Sequence, residues 1–358
     1  MHVALIGTGL IGGSLGLALR SRGHRVVAFD VDPTRAARAL GMGAADEVVD
    51  DPVRAVAGCD LAVVATPVGR IGPTVVATLE AGAPVVTDVG SVKGPVVREV
   101  ATHGRAAHFV GGHPMAGSEQ DGLDGADADL FVGATWVLTP VAGTDPDAHA
   151  TVRALATTVG AEVVEIPPDE HDALVAVVSH VPQLAATTLM DVAAAGGEGS
   201  ALLLRLAAGG FRDMTRIAAS HPAIWPDICA ANRDAIIEAL DRYVEALAAV
   251  RRMVDAGDRD DLLALLERAR GARRDLPVSA AVAGPLVELR IPVPDRPGVL
   301  AEVTTLAGSL GVNIVDLEIN HSIEGTSGLL VLIVGAARAD ALAEGLVAAG
   351  YHPVRSDL

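Results

Sequence analysis

The chain has 358 residues, half of them apolar and a fifth charged, a soluble globular balance and too long for one ordinary core. Its net charge of −18 argues against a nucleic-acid partner, which needs clustered Lys and Arg, but leaves room for a small anion in a local basic pocket. Two cysteines, Cys59 and Cys229, sit outside any metal-ligand spacing; they exclude a disulfide scaffold, imply no metal, and fit a reducing cytoplasm.

From Val3 to Leu19 the chain is apolar, but it lacks a basic leader and glycines interrupt it, so it is not expected to be an export signal. No other stretch reads as long and apolar enough to span a bilayer. Short apolar runs then alternate with helical stretches. Strands are predicted at Val3–Ile6, Val26–Phe29, Leu61–Ala65, Val85–Asp88, His108–Gly111, Thr135–Leu138 and Glu162–Glu165, with helices at Ser14–Arg20 and Pro33–Leu40 among those between them. Strands separated by helices imply a parallel, doubly wound α/β domain of Rossmann type over residues 1–166. Residues 167–274 change to long helical runs broken at Gly196-Gly197, Gly209-Gly210 and Pro222. In this all-α domain Ile236, Leu240, Tyr243, Leu247, Val250 and Val254 form a seam like that of a coiled coil, which suits a homodimer interface. A linker over 271–285 leads to residues 285–358. There Leu286–Ile291, Pro297–Leu310, Val312–Asn320, Gly328–Val334, Ala339–Ala349 and a short last strand follow a ferredoxin-like βαββαβ order.

Gly7-Thr8-Gly9-Leu10-Ile11-Gly12 follows the first strand and opens the first helix, as a dinucleotide loop must. Its glycines allow a tight turn, close approach to a pyrophosphate and close helix packing. Asp30 ends the second strand, 18 residues beyond Gly12, where a carboxylate accepts from ribose hydroxyls and repels a 2′-phosphate. NAD is therefore predicted over NADP, with nearby Arg35 weakening the preference.

Two further loops fall at the carboxyl edge of the sheet, Asp88–Lys93 and Gly111–Glu119. His113 in the second is a candidate general base, and Ser91 in the first is placed to hold its imidazole. A helix would put 172, 176, 179 and 183 on one face, gathering His171-Asp172 and Ser179–Gln183 on one pocket wall. Arg212 and Arg216 lie near the start of another helix; an arginine fork suits a carboxylate.

In this order and spacing, Gly7–Gly12, Ala65-Thr66-Pro67, Asp88–Lys93, His113–Glu119, His171-Asp172, Ser179-His180, Gly210–Arg216 and Pro222–Trp225 resemble the prephenate/arogenate dehydrogenase family over nearly the whole chain. The resemblance implies NAD-dependent oxidative decarboxylation of prephenate, with His113 as base on the ring hydroxyl. It implies that Ser91 orients that base and touches the nicotinamide, that Arg216 binds a substrate carboxylate, and that Glu119 gates the pocket. His171, Asp172 and His180 would belong to the substrate-binding network, and Thr66 and Pro67 to the cofactor site. Gln183 stands where many relatives have a second His, which keeps arogenate open as the substrate.

The C-terminal segment resembles an ACT domain through Pro294–Leu300 and Gly311–Ile314. That implies an amino-acid effector site, tyrosine first, using Asp295, Gly298, Val299, Leu300, Asn313 and Ile314. A dimerisation module with an empty site is the alternative for this segment. For the whole chain the alternatives are a β-hydroxyacid or imine reductase of similar plan, and a non-catalytic sensor of NAD and an amino acid.

Overall fold

Alternation along the strands decides the layering of the N-terminal half. In β1 (His2–Ile6), Val3 and Leu5 enter one apolar cluster while Ala4 and Ile6 enter another. In β4 (Leu61–Val64), Leu61 and Val63 divide from Ala62 and Val64 in the same way, so the sheet is buried on both faces. The computed structural model describes residues 1–117, 120, 122–195, 203, 206–207, 209–274, 285–321 and 327–357. Glu119, the Gly196-Gly197 break and linker residues 275–284 lie outside them. The chain divides into two compact units, Met1–Ala246 and Leu247–Leu358.

The first unit holds an eight-stranded sheet. Besides β1 and β4 it comprises β2 (Arg25–Phe29), β3 (Glu47–Val48), β5 (Val86–Asp88), β6 (Phe109–Pro114), β7 (Thr135–Thr139) and β8 (Glu162–Glu165), in the order β3-β2-β1-β4-β5-β6-β7-β8. The chain moves outward in both directions from the β1/β4 pair, which makes the carboxyl edge there the crevice for a ligand. β3, two residues long, is too short to leave a periodic pattern in the sequence.

Three helices begin alike. α2 (Pro33–Gly41), α3 (Pro52–Val56) and α6 (Pro146–Thr158) each follow an Asp that accepts from first-turn N–H groups, with Pro in a first-turn position that has no intrahelical partner to lose.

The sheet is not parallel throughout, as the sequence had led us to expect. β6 and β7 run antiparallel, with His113 opposite Val137, and β8 runs parallel to β7. The described part of the β6–β7 connection holds only a 3-10 turn, Gly122–Gly125, in place of a full crossover helix. The chain therefore re-enters the sheet from the edge at which β6 leaves it.

The helical part starts with α7 (Pro168–Val175), a π turn (Ala176–His180) and α8 (Val181–Ala194), which together form one 27-residue run. By length and mean hydropathy, 1.5, this run is long and apolar enough to cross a membrane, contrary to the sequence expectation. Its buried His171, Asp172, His180 and Gln183, and its packing against α5 (Gly94–Val100), make it instead a wall of the folded unit. α9 (Gly209–Thr215), α10 (Trp225–Ala231), α11 (Arg233–Ala256) and α12 (Arg259–Arg274) follow. Along the α11 seam Ile236 is buried, whereas Tyr243, Leu247 and Val254 are exposed.

In the second unit β9 (Leu286–Pro294), α13 (Val299–Ser309), β10 (Ile314–His321), β11 (Ser327–Gly335), α14 (Ala336–Ala348) and β12 (Val354–Asp357) form the expected βαββαβ order. Its sheet is antiparallel, β10-β11-β9-β12, a ferredoxin-like arrangement. Val287, Leu289, Ile291 and Val293 of β9 all enter its core, the period of a strand covered on one face.

Candidate active site

The glycine loop is shaped for close backbone approach. Gly7 has φ +102°, and a Cβ there would lie 2.4 Å from the Ala65 carbonyl oxygen; a Cβ on Gly12 would lie 2.1 Å from the Gly7 oxygen. At Gly9, by contrast, a Cβ would meet nothing within 4 Å, so the loop faces open space at the start of α1 (Leu10–Ser21). Leu10 and Ile11 are half-buried on that first turn. Asp30 stands behind the loop: its Oδ2 accepts from the Thr8 N–H and hydroxyl at 2.8 and 2.9 Å. Its Oδ1 accepts from the Asp32 N–H at 2.9 Å and from Arg35 at 3.2 Å. Asp30 thus anchors the loop itself, through Thr8, a residue the motif had not singled out. Beside the loop, Thr66 Oγ1 is buried without a hydrogen-bond partner and Pro67 caps α4 (Val68–Glu80). An open cradle, an orphaned hydroxyl and a rear carboxylate together fit a bound dinucleotide.

A polar network lies at the carboxyl ends of β5 and β6. Asp88 and Lys93 form a completely buried ion pair, and Asp88 also accepts from the N–H groups of Gly90 at 2.9 Å and Gly112 at 3.2 Å. Burial lowers the Lys93 pKa, and Asp88 opposes that shift. At the end of β6, His113 Nδ1 lies 2.8 Å from His171 Nε2, and His171 Nδ1 lies 2.8 Å from Asp172 Oδ1. Asp172 also accepts from the backbone N–H groups of Lys93 at 2.8 Å and Gly94 at 2.7 Å, which ties α7 to the start of α5. Burial holds the His113 pKa well below the ordinary histidine value, and the neighbouring His171, Lys93 and His180 push it the same way.

His180 is buried and its pKa is lowered to about 4, chiefly by desolvation, with Asp172 opposing. Asn232 joins it to the network, reaching the Asp172 carbonyl at 2.8 Å and His180 Nδ1 at 3.2 Å. Trp225 stacks edge-on against His180, with ring centroids 6.1 Å apart. Asn232 went unnoticed in the sequence, where a lone Asn between two helices carries no signal.

Several expected placements change. The π turn inserts an extra residue into its helical turn, so His180 rather than Ser179 becomes fully buried on the inner face. Ser91 is half-buried and makes no side-chain hydrogen bond to His113 among the described residues; the Nδ1 partner is His171. Gln183 is buried and its amide reaches Thr187 Oγ1 at 3.4 Å. Arg216 is exposed and opens a 3-10 turn, Arg216–Ala219, packed against α8, the helix that carries Gln183.

In the second unit a cavity of about 250 Å³ is lined by Asp295, Gly298, Val299 and Leu300, together with Ile319 and Leu330. Asn313 is exposed and Ile314 half-buried, and neither lines it.

Comparison with known proteins gives a consistent result. The family described as "Prephenate dehydrogenase, nucleotide-binding domain" matches residues 15–165, and "Prephenate dehydrogenase, dimerization domain" matches residues 167–268. A prephenate dehydrogenase of Bacillus subtilis is 34% identical over 335 residues, 92% of this chain and 90% of that protein. A cyclohexadienyl dehydrogenase of Zymomonas mobilis is 33% identical over 281 residues, 76% of this chain and 94% of that protein. Among solved structures, the Aquifex aeolicus prephenate dehydrogenase in complex with hydroxyphenyl propionate and NAD+ superposes with TM-score 0.71 at 28% identity, covering 77% of this chain and 99% of that one. The Synechocystis arogenate dehydrogenase superposes with TM-score 0.66 at 30% identity, covering 77% of this chain and all of that one.

Proposed function

The chain belongs to the prephenate dehydrogenase family, and on that premise we propose that it catalyses the NAD-dependent oxidative decarboxylation of prephenate to 4-hydroxyphenylpyruvate. One observation carries the proposal: a partly buried imidazole, His113, at the same carboxyl edge of the sheet as the glycine loop, hydrogen-bonded through Nδ1 and bearing no hydrogen bond at Nε2 among the described residues. NAD, when bound, accepts a hydride. Gly7, Gly9, Leu10, Ile11 and Gly12 would hold its pyrophosphate, Asp30 its ribose, and Thr66 and Pro67 the adjoining part.

His113 then takes the proton of the ring hydroxyl as hydride departs from the same carbon and a carbonyl forms. The bond to the ring carboxylate breaks next; its electron pair aromatises the ring, carbon dioxide leaves, and the resulting phenolate oxygen takes the proton back from His113. Burial suits His113 to this task, because a base must be unprotonated at working pH. We assign Arg216 to a substrate carboxylate, Ser91 to the nicotinamide side of the pocket, Glu119 to its gate, and His180 and Gln183 to the substrate's side chain.

Residues 1–166 act as the cofactor domain and 167–274 as a substrate and dimerisation domain. The exposed Tyr243, Leu247 and Val254 support a homodimer along α11. We assign residues 285–358 to an ACT-type regulatory module with tyrosine as effector, since the 250 Å³ cavity at Asp295–Leu300 matches an amino acid in size. Both cysteines are free, in keeping with a cytoplasmic enzyme.

NADH formation by the purified protein, with prephenate and arogenate supplied separately at saturating NAD, tests the proposal. Preference for prephenate is expected. Preference for arogenate would reassign the substrate through Gln183, and no turnover with either would overturn the catalytic role.

A further inference from the structure

We propose that His171 and Asp172 form a positioning relay that fixes the tautomer of His113 and takes up the positive charge it gains on turnover. The direction of every bond follows from Asp172. Its Oδ1 accepts the Lys93 N–H at 2.8 Å and its Oδ2 the Gly94 N–H at 2.7 Å, so it is held as a carboxylate that only accepts. His171 Nδ1, 2.8 Å from Oδ1, therefore carries a proton, and a singly protonated His171 presents a bare Nε2. His113 Nδ1, 2.8 Å from that Nε2, must donate to it, which leaves the lone pair of His113 on its own Nε2. That is the atom the proposed reaction needs.

The relay also answers a charge problem. When His113 gains the substrate proton, the titratable groups around it among the described residues are His171, Lys93, His180, Asp88 and Asp172. Lys93 and His180 oppose a new cation, and Asp88 is already paired with Lys93. Asp172 is the carboxylate left to balance it, reached through the His171 ring. The Nδ1 proton of His113 strengthens its bond to His171 as the charge forms, and reverts when the product leaves. Asn232 steadies the assembly by donating to the Asp172 carbonyl at 2.8 Å.

Because this role presupposes the dehydrogenase activity proposed above, one arm of the test needs no substrate. Asp172→Asn keeps an amide oxygen facing His171 Nδ1 and the Lys93 N–H, the orientation that sets its NH2 against one backbone N–H rather than two, so the tautomers stand while the negative charge that balances the His113 cation is lost. We expect kcat to fall roughly 10²–10⁴-fold while KM changes little, as when a triad carboxylate is made neutral. His171→Phe removes the acceptor, and His171→Gln, whose amide oxygen still accepts from His113, should recover part of the lost kcat. In the full-length protein labelled with ¹⁵N-histidine, NMR should show His113 protonated on Nδ1 in the wild type, with the signal assigned through His113→Asn. Wild-type His113 protonated on Nε2 overturns the relay whatever the substrate is. So does wild-type kcat in His171→Phe, which keeps the question decidable if Asp172→Asn fails to fold.

Discussion

Lys93→Met tests how the floor of the active site is held. The substitution keeps the length of the apolar stem and removes the ammonium, leaving Asp88 wholly buried at the end of β5 without its counter-charge. Removing one partner of a buried pair costs about 3–5 kcal/mol, because the remaining charge is stranded in a low dielectric. Asp88 would still accept the Gly90 and Gly112 N–H groups at 2.9 and 3.2 Å, so the lower end, about 3 kcal/mol, is expected. Lys93→Met/Asp88→Asn removes this buried charge, and although the new amide NH2 must face either the Gly90 or the Gly112 N–H, the double variant should recover part of that loss. Urea unfolding followed by tryptophan fluorescence is the assay. The chain has two tryptophans, Trp136 and Trp225, and both lie in the Met1–Ala246 unit, so the signal follows that unit alone. A loss below about 1 kcal/mol in the single variant, or a double variant no more stable than the single, would refute the stranded-charge account.

Gly12→Ala should displace the glycine loop, since its Cβ would lie 2.1 Å from the Gly7 oxygen; NADH affinity should fall roughly tenfold or more in a fluorescence titration, and unchanged affinity would remove this loop from the cofactor site. Arg216→Ala should raise KM for prephenate with little change in kcat, and an unchanged KM would reassign Arg216 to structure. The His180 pKa, about 4 in the folded protein against 6.5 for the free side chain, makes stability pH-dependent with a definite sign. The unfolded chain binds this proton first, so the contribution of neutral His180 is complete above pH ~6.5 and is lost as pH falls toward ~4, by about 3 kcal/mol in total. His180→Gln should flatten that acid limb in urea midpoints taken across this range; an acid slope equal to that of the wild type would show that His180 does not supply it.

Local chemistry made much of this protein legible in its sequence. The glycine loop at residues 7–12 is a contiguous backbone requirement, and the alternation of β9 reports a sheet covered on one face; each is decided within a few residues of itself. Three things were decided only by tertiary closure. The antiparallel β6–β7 pairing depends on how the connection returns to the sheet. The inward turn of His180 depends on an extra residue in a π turn, which shifts the helical period without changing the composition. The contact of His113 with His171 spans 58 residues and replaces the Ser91 partner expected from nearby sequence. A hydrogen bond between residues so far apart has no period and no spacing to betray it, because it exists only once β6 and α7 have been brought to the same edge of the sheet.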